Sequence, residues 1–318
     1  MNGGTTILAA VEIYLEERRQ LGFDLRIAGR QLMRFARYAD ARGHKGPLTL
    51  ELQLDWAREH VNRTGPVTWA RRIEVVRPFT AYYRQFEPSS VVPDLKVFGH
   101  GHRRLIPHIY TDHEVCELLE ETGRLTPQAG LRPATYQALF GLIAAAGLRL
   151  SEALNLRDAD VDLQAGSVTV RQTKFSKSRC LPLHPSCVQA LAEYRVRRDQ
   201  IAVHLPDMAF FVSTQGQALS SRGVENVFAG LRERLGWKPR GEHPKPRIHD
   251  LRHTFAVRRV QQWHQTGVTM DNGMFWLCTY LGHAKISDTY WYLTGVPELM
   301  AVVGEKFGRF VQGESGHG

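Results

Sequence analysis

The sequence has few cysteines and no long apolar run. Its four cysteines, in 318 residues, are widely spaced and form no Cys-x-x-Cys pair, which argues against a structural zinc site or a disulfide framework and favours reduced thiols. The longest apolar run, from Ala138 to Leu148, is too short to cross a bilayer and predicts a buried helix. The N-terminus lacks the basic-then-apolar pattern of a signal peptide. We therefore expect a cytoplasmic protein without a membrane-spanning segment.

Acidic residues are the minority among the charged ones. The chain has 41 Lys and Arg against 32 Asp and Glu, a formal net charge of +9 and a pI near 9.6. Residues 1–106 hold 17 of the basic and 11 of the acidic residues, so the excess is densest there. A basic balance favours a polyanionic partner, although many basic proteins bind no nucleic acid. The length favours two domains over one core.

Apolar periodicity predicts a mainly α protein with a small antiparallel β-sheet. Residues 1–87 are predicted to form a helical domain, with Pro78 kinking or breaking its fourth helix. Residues 88–107 combine Pro, Gly and Ser with a basic tip and predict a linker. The second domain is predicted over 108–307, with a frayed tail at 308–318. The predicted helices of the first domain are Ile7 to Gln20, Arg26 to Arg42, Leu48 to Val61 and Val67 to Phe86.

Arginines recur at helical spacing in the first domain. The second predicted helix carries Arg26, Arg30 and Arg34 on one face, and the fourth carries Arg71 and Arg72. A solvated basic face would give this pattern. So would a row of contacts to DNA phosphates, because the guanidinium fork suits phosphate oxygens. Both interpretations stay open, and the five arginines are our candidate DNA-binding residues.

The second domain opens with a strong helix signal. Thr111 followed by Glu114 predicts a capping box. The segment from Ser167 to His184 alternates as two short strands around a polar turn that contains Lys174 and Lys177. Lysines in such turns are usually just solvated. Helices are also predicted over Pro133 to Leu148, Pro185 to His204, Ser221 to Leu235 and Val296 to Val311.

The segment from His249 to His253 could be interpreted as a metal site. The two histidines have the His-x3-His spacing of zinc ligands, but Asp250 stands where a zincin has its glutamate base. No third ligand lies at a family spacing, and Arg252 would place a positive charge beside the metal. We therefore predict no metal site and keep a zinc hydrolase only as a disfavoured alternative, which insensitivity to a chelator would remove.

Four short motifs in order change the interpretation of these residues. They are AGLRLSEALNL at Ala146–Leu156, TKFSKSRCLPL at Thr173–Leu183, HDLRHTFA at His249–Ala256 and LGHAKISDTYWYL at Leu281–Leu293. Together they closely resemble the tyrosine recombinase, or phage integrase, family. The resemblance covers about Ile106 to Leu293, and the helical N-terminal domain looks like that family's core-binding domain, though far less specifically.

The resemblance implies a binding site for a DNA phosphate. Arg149 matches the family's first arginine, His249 and Arg252 its His-x-x-Arg pair, and His283 the histidine of Leu-Gly-His. Arg149 and Arg252 would clamp the non-bridging oxygens, and His283 would donate a hydrogen bond to the phosphate. Alone, Arg149 would be interpreted as a salt-bridge partner of Glu152, which we expect to orient it.

The resemblance also implies a covalent intermediate. Tyr292, nine residues after His283, matches the nucleophile, and Tyr290 is the alternative; two residues apart, they lie on different faces of a helix. A phenol has an unperturbed pKa near 10, so its proton needs an acceptor, for which His249 is the candidate. Lys174 matches the lysine that protonates the departing 5′ oxygen. The product would be a 3′-phosphotyrosyl link and a free 5′-hydroxyl, formed without metal, ATP or another cofactor.

The expected partner is double-stranded DNA carrying specific recombination sites. The family resemblance implies two domains closed around the duplex as a C-shaped clamp and a homotetramer acting across two sites, with accessory or sister recombinases as further partners. The helix from Val296 to Val311 would dock onto a neighbouring protomer. A type IB topoisomerase-like relaxation activity and a non-catalytic DNA-binding relative remain alternatives.

Two features depart from the family pattern. The interval from His253 to His283 is longer than in compact Xer-type members, with the extra residues between Gln261 and Met274. The closing TYWYLTGVPELM looks more like short recombinases of transposons and other mobile elements.

Overall fold

Helices and one small antiparallel sheet make up the regular structure, which confirms the predicted fold class. The computed structural model describes residues 6–59, 64–99, 101, 104–171, 178–201 and 208–294. Lys174, Lys177, the predicted helix from Val296 to Val311 and the tail 308–318 lie outside the described residues. In the part that is described, no helix is long and apolar enough to cross a membrane. The chain divides into two compact units, Met1–Arg104 and Leu105–Gly318.

The first unit is helical. The side chain of Thr6 caps the first helix by accepting a hydrogen bond from the Ala9 amide. The carboxylate of Asp40, at the far end of the second helix, accepts the Ile7 and Leu8 amides at 2.9 and 3.0 Å. These bonds join the start of one helix to the end of the next. The four helices are α1 Ile7–Gln20, α2 Arg26–Ala41, α3 Leu50–Arg58 and α4 Pro66–Tyr83.

Aromatic rings fill the centre of the first unit. Phe35 of α2 meets Trp56 of α3 with ring centroids 5.3 Å apart, and Tyr14 of α1 meets Phe79 of α4 at 5.6 Å. Edge-to-face contacts of this kind add to the stabilisation from buried apolar area. Of the kink or break predicted at Pro78, the break is wrong, because helix α4 is continuous through this residue. Its neighbours Val76 and Phe79 are fully buried, and their packing offsets the hydrogen bond that proline removes.

Part of the predicted linker is packed against the first unit. The Leu48 amide donates to the Ser90 hydroxyl at 3.0 Å, and the Val91 amide donates to the Leu48 carbonyl at 2.9 Å. The Gln53 amide group donates to the Val91 carbonyl at 2.8 Å. The division between the units lies later, after Arg104. Turn-forming residues indicated a free segment here, but these backbone groups are satisfied by residues about 40 positions away.

The second unit surrounds the long apolar helix predicted from the sequence. The capping box of Thr111 and Glu114 is present at the start of the first helix of the unit. The ring of Phe140 meets that of Phe228 at 5.6 Å within a large apolar core. The helices are α5 Asp112–Gly123, α6 Leu131–Ala146, α7 Leu150–Leu154, α8 Pro185–Asp199, α9 Ser221–Leu235, α10 Ile248–Gln265, α11 Met270–Leu281 and α12 Ser287–Thr294.

The sheet has three antiparallel strands in the order β1-β2-β3. They are β1 Val161–Asp162, β2 Ser167–Val170 and β3 Arg179–Pro182. Val168 faces Leu181 and both are buried, whereas Val170 faces Arg179. The two longer strands match the prediction, but β1 was not predicted because two residues are too few to show alternation.

The interval that departs from the family pattern is helical at both ends. Helix α10 continues to Gln265, the chain turns at Gly267 with φ +75°, and α11 begins at Met270. A Cβ on Gly273 would lie 2.7 Å from the Trp263 ring, so this glycine permits close packing of the two helices. Residues 261–274 therefore form the end of α10, a turn and the start of α11.

The candidate DNA-binding arginines of the first unit differ in their surroundings. Arg26, Arg30 and Arg34 are exposed along α2. Arg71 donates from Nε to the Gly101 carbonyl at 3.0 Å. Arg72 donates from Nη1 to three carbonyls at the end of α3, those of Trp56, Ala57 and Glu59, at 3.2, 3.0 and 2.8 Å. We therefore interpret Arg72 as a cap for the C-terminus of α3.

This assignment predicts a stability effect. Arg72→Met should lower the free energy of unfolding by about 2 kcal/mol, because charged hydrogen bonds to three helix-end carbonyls are lost. Urea unfolding followed by circular dichroism measures this. Arg30→Met is the matched control on the exposed face of α2, with an expected change within about 0.5 kcal/mol. Equal stability of the two variants would contradict the capping role.

Candidate active site

The second unit brings five of the six predicted catalytic positions into one region. Arg149 precedes α7, His249 and Arg252 lie in the first turns of α10, His283 follows α11 and Tyr292 lies on α12. The sixth, Lys174, lies outside the described residues. Contacts between the side chains, described below, join these separate segments.

Arg149 is held by Glu152, as predicted. The Arg149 amide donates to Oε2 of Glu152 at 3.0 Å, and its Nη1 donates to Oε1 at 2.7 Å. The same carboxylate thus caps α7 and fixes the guanidinium. The Arg149 side chain remains 35% exposed while that of Glu152 is 8% exposed. Arg149 is therefore anchored but still open to a ligand.

Arg252 is fully buried and bonded on both of its terminal nitrogens. Nη1 donates to the Gly147 carbonyl at 2.8 Å and Nη2 to the Leu281 carbonyl at 2.7 Å. Nη1 also lies 3.6 Å from Oε2 of Glu152. Burial lowers the pKa of Arg252, but a guanidinium starts so high that it stays charged. A fixed positive charge is thus prepared at the centre of the site.

The contacts of His283 define its tautomer. Nη2 of Arg252 lies 3.1 Å from Nε2 of His283, and arginine can only donate, so Nε2 accepts. Nδ1 then carries the proton and donates to the Thr289 hydroxyl at 2.8 Å. Burial and the charges of Arg252 and Arg149 lower the pKa of His283 to about 4, so it is neutral. The predicted donation from His283 to a phosphate would require Nε2 to carry the proton instead.

The two tyrosines of α12 have different environments. Tyr292 is 4% exposed, and its ring lies nearly parallel to that of His283 at 5.8 Å. Tyr292 also lies close enough to Arg252 to favour the charged form of that guanidinium. Tyr290, two residues earlier, is 37% exposed. The structure therefore brings Tyr292, the sequence-based choice, together with Arg252 and His283.

His249 lies at the open edge of the site. The residue is exposed on the side that borders a cavity of about 310 Å³, lined also by Leu150, Glu225 and Arg232, and protein groups surround the rest of the ring. Withdrawal from bulk water among the surrounding residues, and then the charges of Arg252 and Arg247, lower the pKa of His249 to about 4. His249 is therefore a neutral base at physiological pH.

A third histidine separates His249 from Tyr292. The ring of His253 meets that of His249 at 4.7 Å and that of Tyr292 at 5.0 Å, edge to face in both cases. It is 8% exposed, and its Nδ1 has no hydrogen-bond partner among the described residues. Burial and the neighbouring His249 lower its pKa to about 2. The i+4 spacing from His249 predicted a shared helix face, but not contact with Tyr292.

Arg179, at the start of β3, is a site residue that sequence reasoning missed. Its Nη1 and Nη2 donate to the two oxygens of Glu152 at 3.2 and 2.9 Å. Its Nε donates to the Tyr280 carbonyl at 2.7 Å. The sequence offers a weak signal, an arginine directly after a basic turn, which does not distinguish this position from the solvated lysines beside it.

Asp250, which stands where a zincin has its glutamate base, caps a helix. Asp250 is fully buried and accepts the Arg247 amide at 2.9 Å and its Nη2 at 2.6 Å, which caps α10. Within the described residues, no three His, Cys, Asp or Glu side chains are arranged to hold a metal ion.

Known proteins share both the sequence and the fold. A family model described as the phage integrase family matches residues 109–296. A Sinorhizobium fredii protein named as an integrase/recombinase, y4rB, is 38% identical over 301 residues, which are 93% of this chain and 95% of that protein. Tyrosine recombinase XerC of Herpetosiphon aurantiacus is 30% identical over 226 residues, 71% of this chain and 68% of its own length.

Solved structures of low sequence identity have the same fold. The Tn1549 transposon integrase, in complex with transposon right-end DNA, superposes with a TM-score of 0.66 at 16% identity and covers 91% of this chain and 94% of its own. The XerH recombinase bound to a palindromic difH substrate gives 0.63 at 19% identity, covering 94% and 84%. With the family model matched over more than half of its length, the chain belongs to the phage integrase family of tyrosine recombinases.

Proposed function

We propose that this protein is a site-specific DNA recombinase that cleaves and rejoins strands through a covalent link to Tyr292. The observation that carries this proposal is the burial of Tyr292 against His283 and the charged Arg252. A phenol beside a fixed guanidinium is suited to attack a phosphodiester, because negative charge grows on the phosphate oxygens as the bond forms. Family membership supports the same reaction class.

The phosphate would bind between Arg149 and Arg252. Arg149 is partly exposed, and Arg252 lies behind it, held by carbonyls of two helix ends. Two guanidinium groups can stabilise both non-bridging oxygens of the transition state, which is the task that a metal performs in other phosphoryl-transfer sites. The proposed reaction therefore uses no cofactor.

Two proton transfers accompany the displacement. The Tyr292 oxygen forms a bond to phosphorus, and the bond from phosphorus to the 5′ oxygen breaks. His249 accepts the phenolic proton, and Lys174 protonates the departing oxygen. The structure shows no hydrogen bond between His249 and Tyr292, and catalytic hydrogen bonds often form only with substrate bound. The phosphotyrosyl ester retains the energy of the broken bond, so a 5′-hydroxyl can reverse the reaction without ATP.

The substrate in this proposal is duplex DNA with specific sites, bound by both units. The exposed arginines Arg26, Arg30 and Arg34 on α2 are the candidates for backbone contacts in the first unit. Strand exchange requires two sites, so we expect a tetramer on DNA, with accessory or sister recombinases as further partners. This reaction would take place in the cytoplasm, and a mobile element would be the source of the sites.

The covalent link is the first test. The protein is first incubated with nicked DNA duplexes of random sequence. Duplexes that become linked to the protein in SDS-resistant adducts are recovered and serve as the selected substrate. Tyr292→Phe should abolish the adduct and leave DNA affinity unchanged, because only the nucleophilic oxygen is removed. Tyr290→Phe is the matched control and should form adduct at the wild-type rate. An adduct that survives in Tyr292→Phe and is lost in Tyr290→Phe would exclude this nucleophile. Relaxation of supercoils by monomers without strand exchange would favour the topoisomerase alternative.

The role of Lys174 predicts rescue by a better leaving group. Lys174→Ala should slow cleavage of the selected duplex by about 10²–10⁴, the range for loss of a general acid. A substrate with sulfur in place of the departing 5′ oxygen releases a thiolate that needs no proton, so the loss should largely disappear. Lys177→Ala is the control with an expected small effect on both substrates. Equal losses on oxygen and sulfur substrates would rule out proton donation by Lys174.

The lowered pKa of His249 predicts an acid-tolerant reaction. Protonation removes the acceptor, so the rate must fall as the pH drops through the pKa of His249 in the free enzyme. Because that pKa is about 4 rather than 6.5, cleavage should persist to about pH 5. The measurement is the single-turnover rate at protein concentrations below the dissociation constant for DNA. A midpoint near pH 6.5 would show that His249 is not the group that titrates.

A further inference from the structure

Three guanidinium groups converge on the single carboxylate of Glu152. Arg179 binds both of its oxygens, at 3.2 and 2.9 Å. Arg149 binds Oε1 at 2.7 Å, and Arg252 lies 3.6 Å from Oε2. Burial would raise the pKa of Glu152, but hydrogen bonds from Arg179 and from the Arg149 amide hold it below its usual value. The carboxylate is therefore ionised and lies between three positive charges.

The three arginines do not share this carboxylate equally. Arg179 places both terminal nitrogens on Glu152 and its Nε on the Tyr280 carbonyl, and its side chain is 12% exposed. Arg149 uses one nitrogen on Glu152 and is 35% exposed. Arg252 donates mainly to the Gly147 and Leu281 carbonyls. Bidentate hydrogen bonding is the strongest arrangement for an arginine–carboxylate pair, so Arg179 is the principal counter-charge of Glu152.

The glycine of the Leu-Gly-His motif lies against Arg179. Gly282 ends α11 with φ +66°, and a Cβ there would lie 2.8 Å from Nη1 of Arg179. The glycine therefore serves both the backbone turn and the approach of the guanidinium. The next residue is His283, which contacts Arg252 and Tyr292. The position of Arg179 is thus linked to α7, to β3 and to the segment that carries His283.

We propose that Arg179 is a positioning residue whose charge neutralises the buried Glu152 carboxylate, so that the positive charges of Arg149 and Arg252 remain available to the DNA phosphate although Arg149 is anchored to Glu152. This inference rests on the proposed function. Without Arg179, the charge of the carboxylate would be compensated by Arg149 and Arg252 alone, since a buried charge requires a partner. Those two arginines would then be partly neutralised before any phosphate arrives, and the transition state would lose stabilisation.

The test compares Arg179→Gln, Glu152→Gln and the double variant in the full-length protein. Single-turnover formation of the Tyr292 adduct is measured on the selected nicked duplex. Arg179→Gln should slow it by about 10²–10³, the range for loss of one donor to a developing oxyanion. Removing the carboxylate as well should restore the rate at least tenfold above that of Arg179→Gln, because no unpaired carboxylate then competes for the arginines.

A second substrate separates this role from a loss of folding. Replacing one non-bridging oxygen of the scissile phosphate with a methyl group removes its negative charge. Arg179→Gln should lose less than about tenfold on this neutral substrate, because fewer positive charges are needed. Arg234→Gln is the matched control, since Arg234 pairs at 2.6 Å with the buried Glu121 between α9 and α5. It should slow the two substrates equally or not at all.

The outcomes are distinct. Absence of any adduct with the wild-type protein would overturn the proposed function itself. With a wild-type adduct present, three results would each overturn the role of Arg179. These are an unchanged rate in Arg179→Gln, a double variant slower than Arg179→Gln, and equal losses on the charged and neutral substrates. Thermal melting followed by circular dichroism identifies any variant that fails to fold. If Arg179→Gln fails to fold, Arg179→Lys replaces it. Because lysine keeps the positive charge, this variant should retain most of the wild-type rate.

Discussion

The buried guanidinium of Arg252 receives its hydrogen-bond acceptors from the ends of two helices. Its partners are the carbonyls of Gly147, after α6, and of Leu281, at the end of α11. Carbonyls at a helix C-terminus lack an intrahelical donor and carry partial negative charge. A cation buried against them is therefore stabilised without being neutralised. The convergence of α6, α10 and α11 on one arginine determines where every other group of the site can lie.

Two glycines make this convergence sterically possible. Gly147 and Gly282 end α6 and α11 in the left-handed region, with φ +62° and +66°. A Cβ on Gly147 would clash with the Phe255 ring on α10, and one on Gly282 would meet Arg179. Each glycine stands within two residues of a predicted catalytic group, Arg149 or His283. These motifs thus combine residues that we propose act on DNA with glycines that allow the backbone turn.

Local signals explain what could be predicted from the sequence. Helices α1 and α9 begin and end where their periodicity and caps indicate, and the Thr111 capping box is present. The choice of Tyr292 over Tyr290 agrees with their burial. Arg179 and the packing of Ser90 and Val91 were missed, because their partners lie 27 to 101 and about 40 residues away, respectively. The periodicity of apolar residues indicates which face of a helix or strand is buried. It does not indicate which distant helices and strands pack together, and the missed contacts depend on that packing.

The electrostatics of the site connect DNA binding to proton transfer. In the free protein, partial withdrawal from bulk water and the neighbouring arginines lower the pKa values of His249 and His283 to about 4, so both rings are neutral. The arginines cannot lose their charge, so they supply the fixed positive field while the histidines remain able to accept protons. A bound phosphate brings negative charge toward the same groups and must raise the pKa of His249. In the proposed mechanism, His249 therefore becomes a stronger proton acceptor when the DNA phosphate is bound.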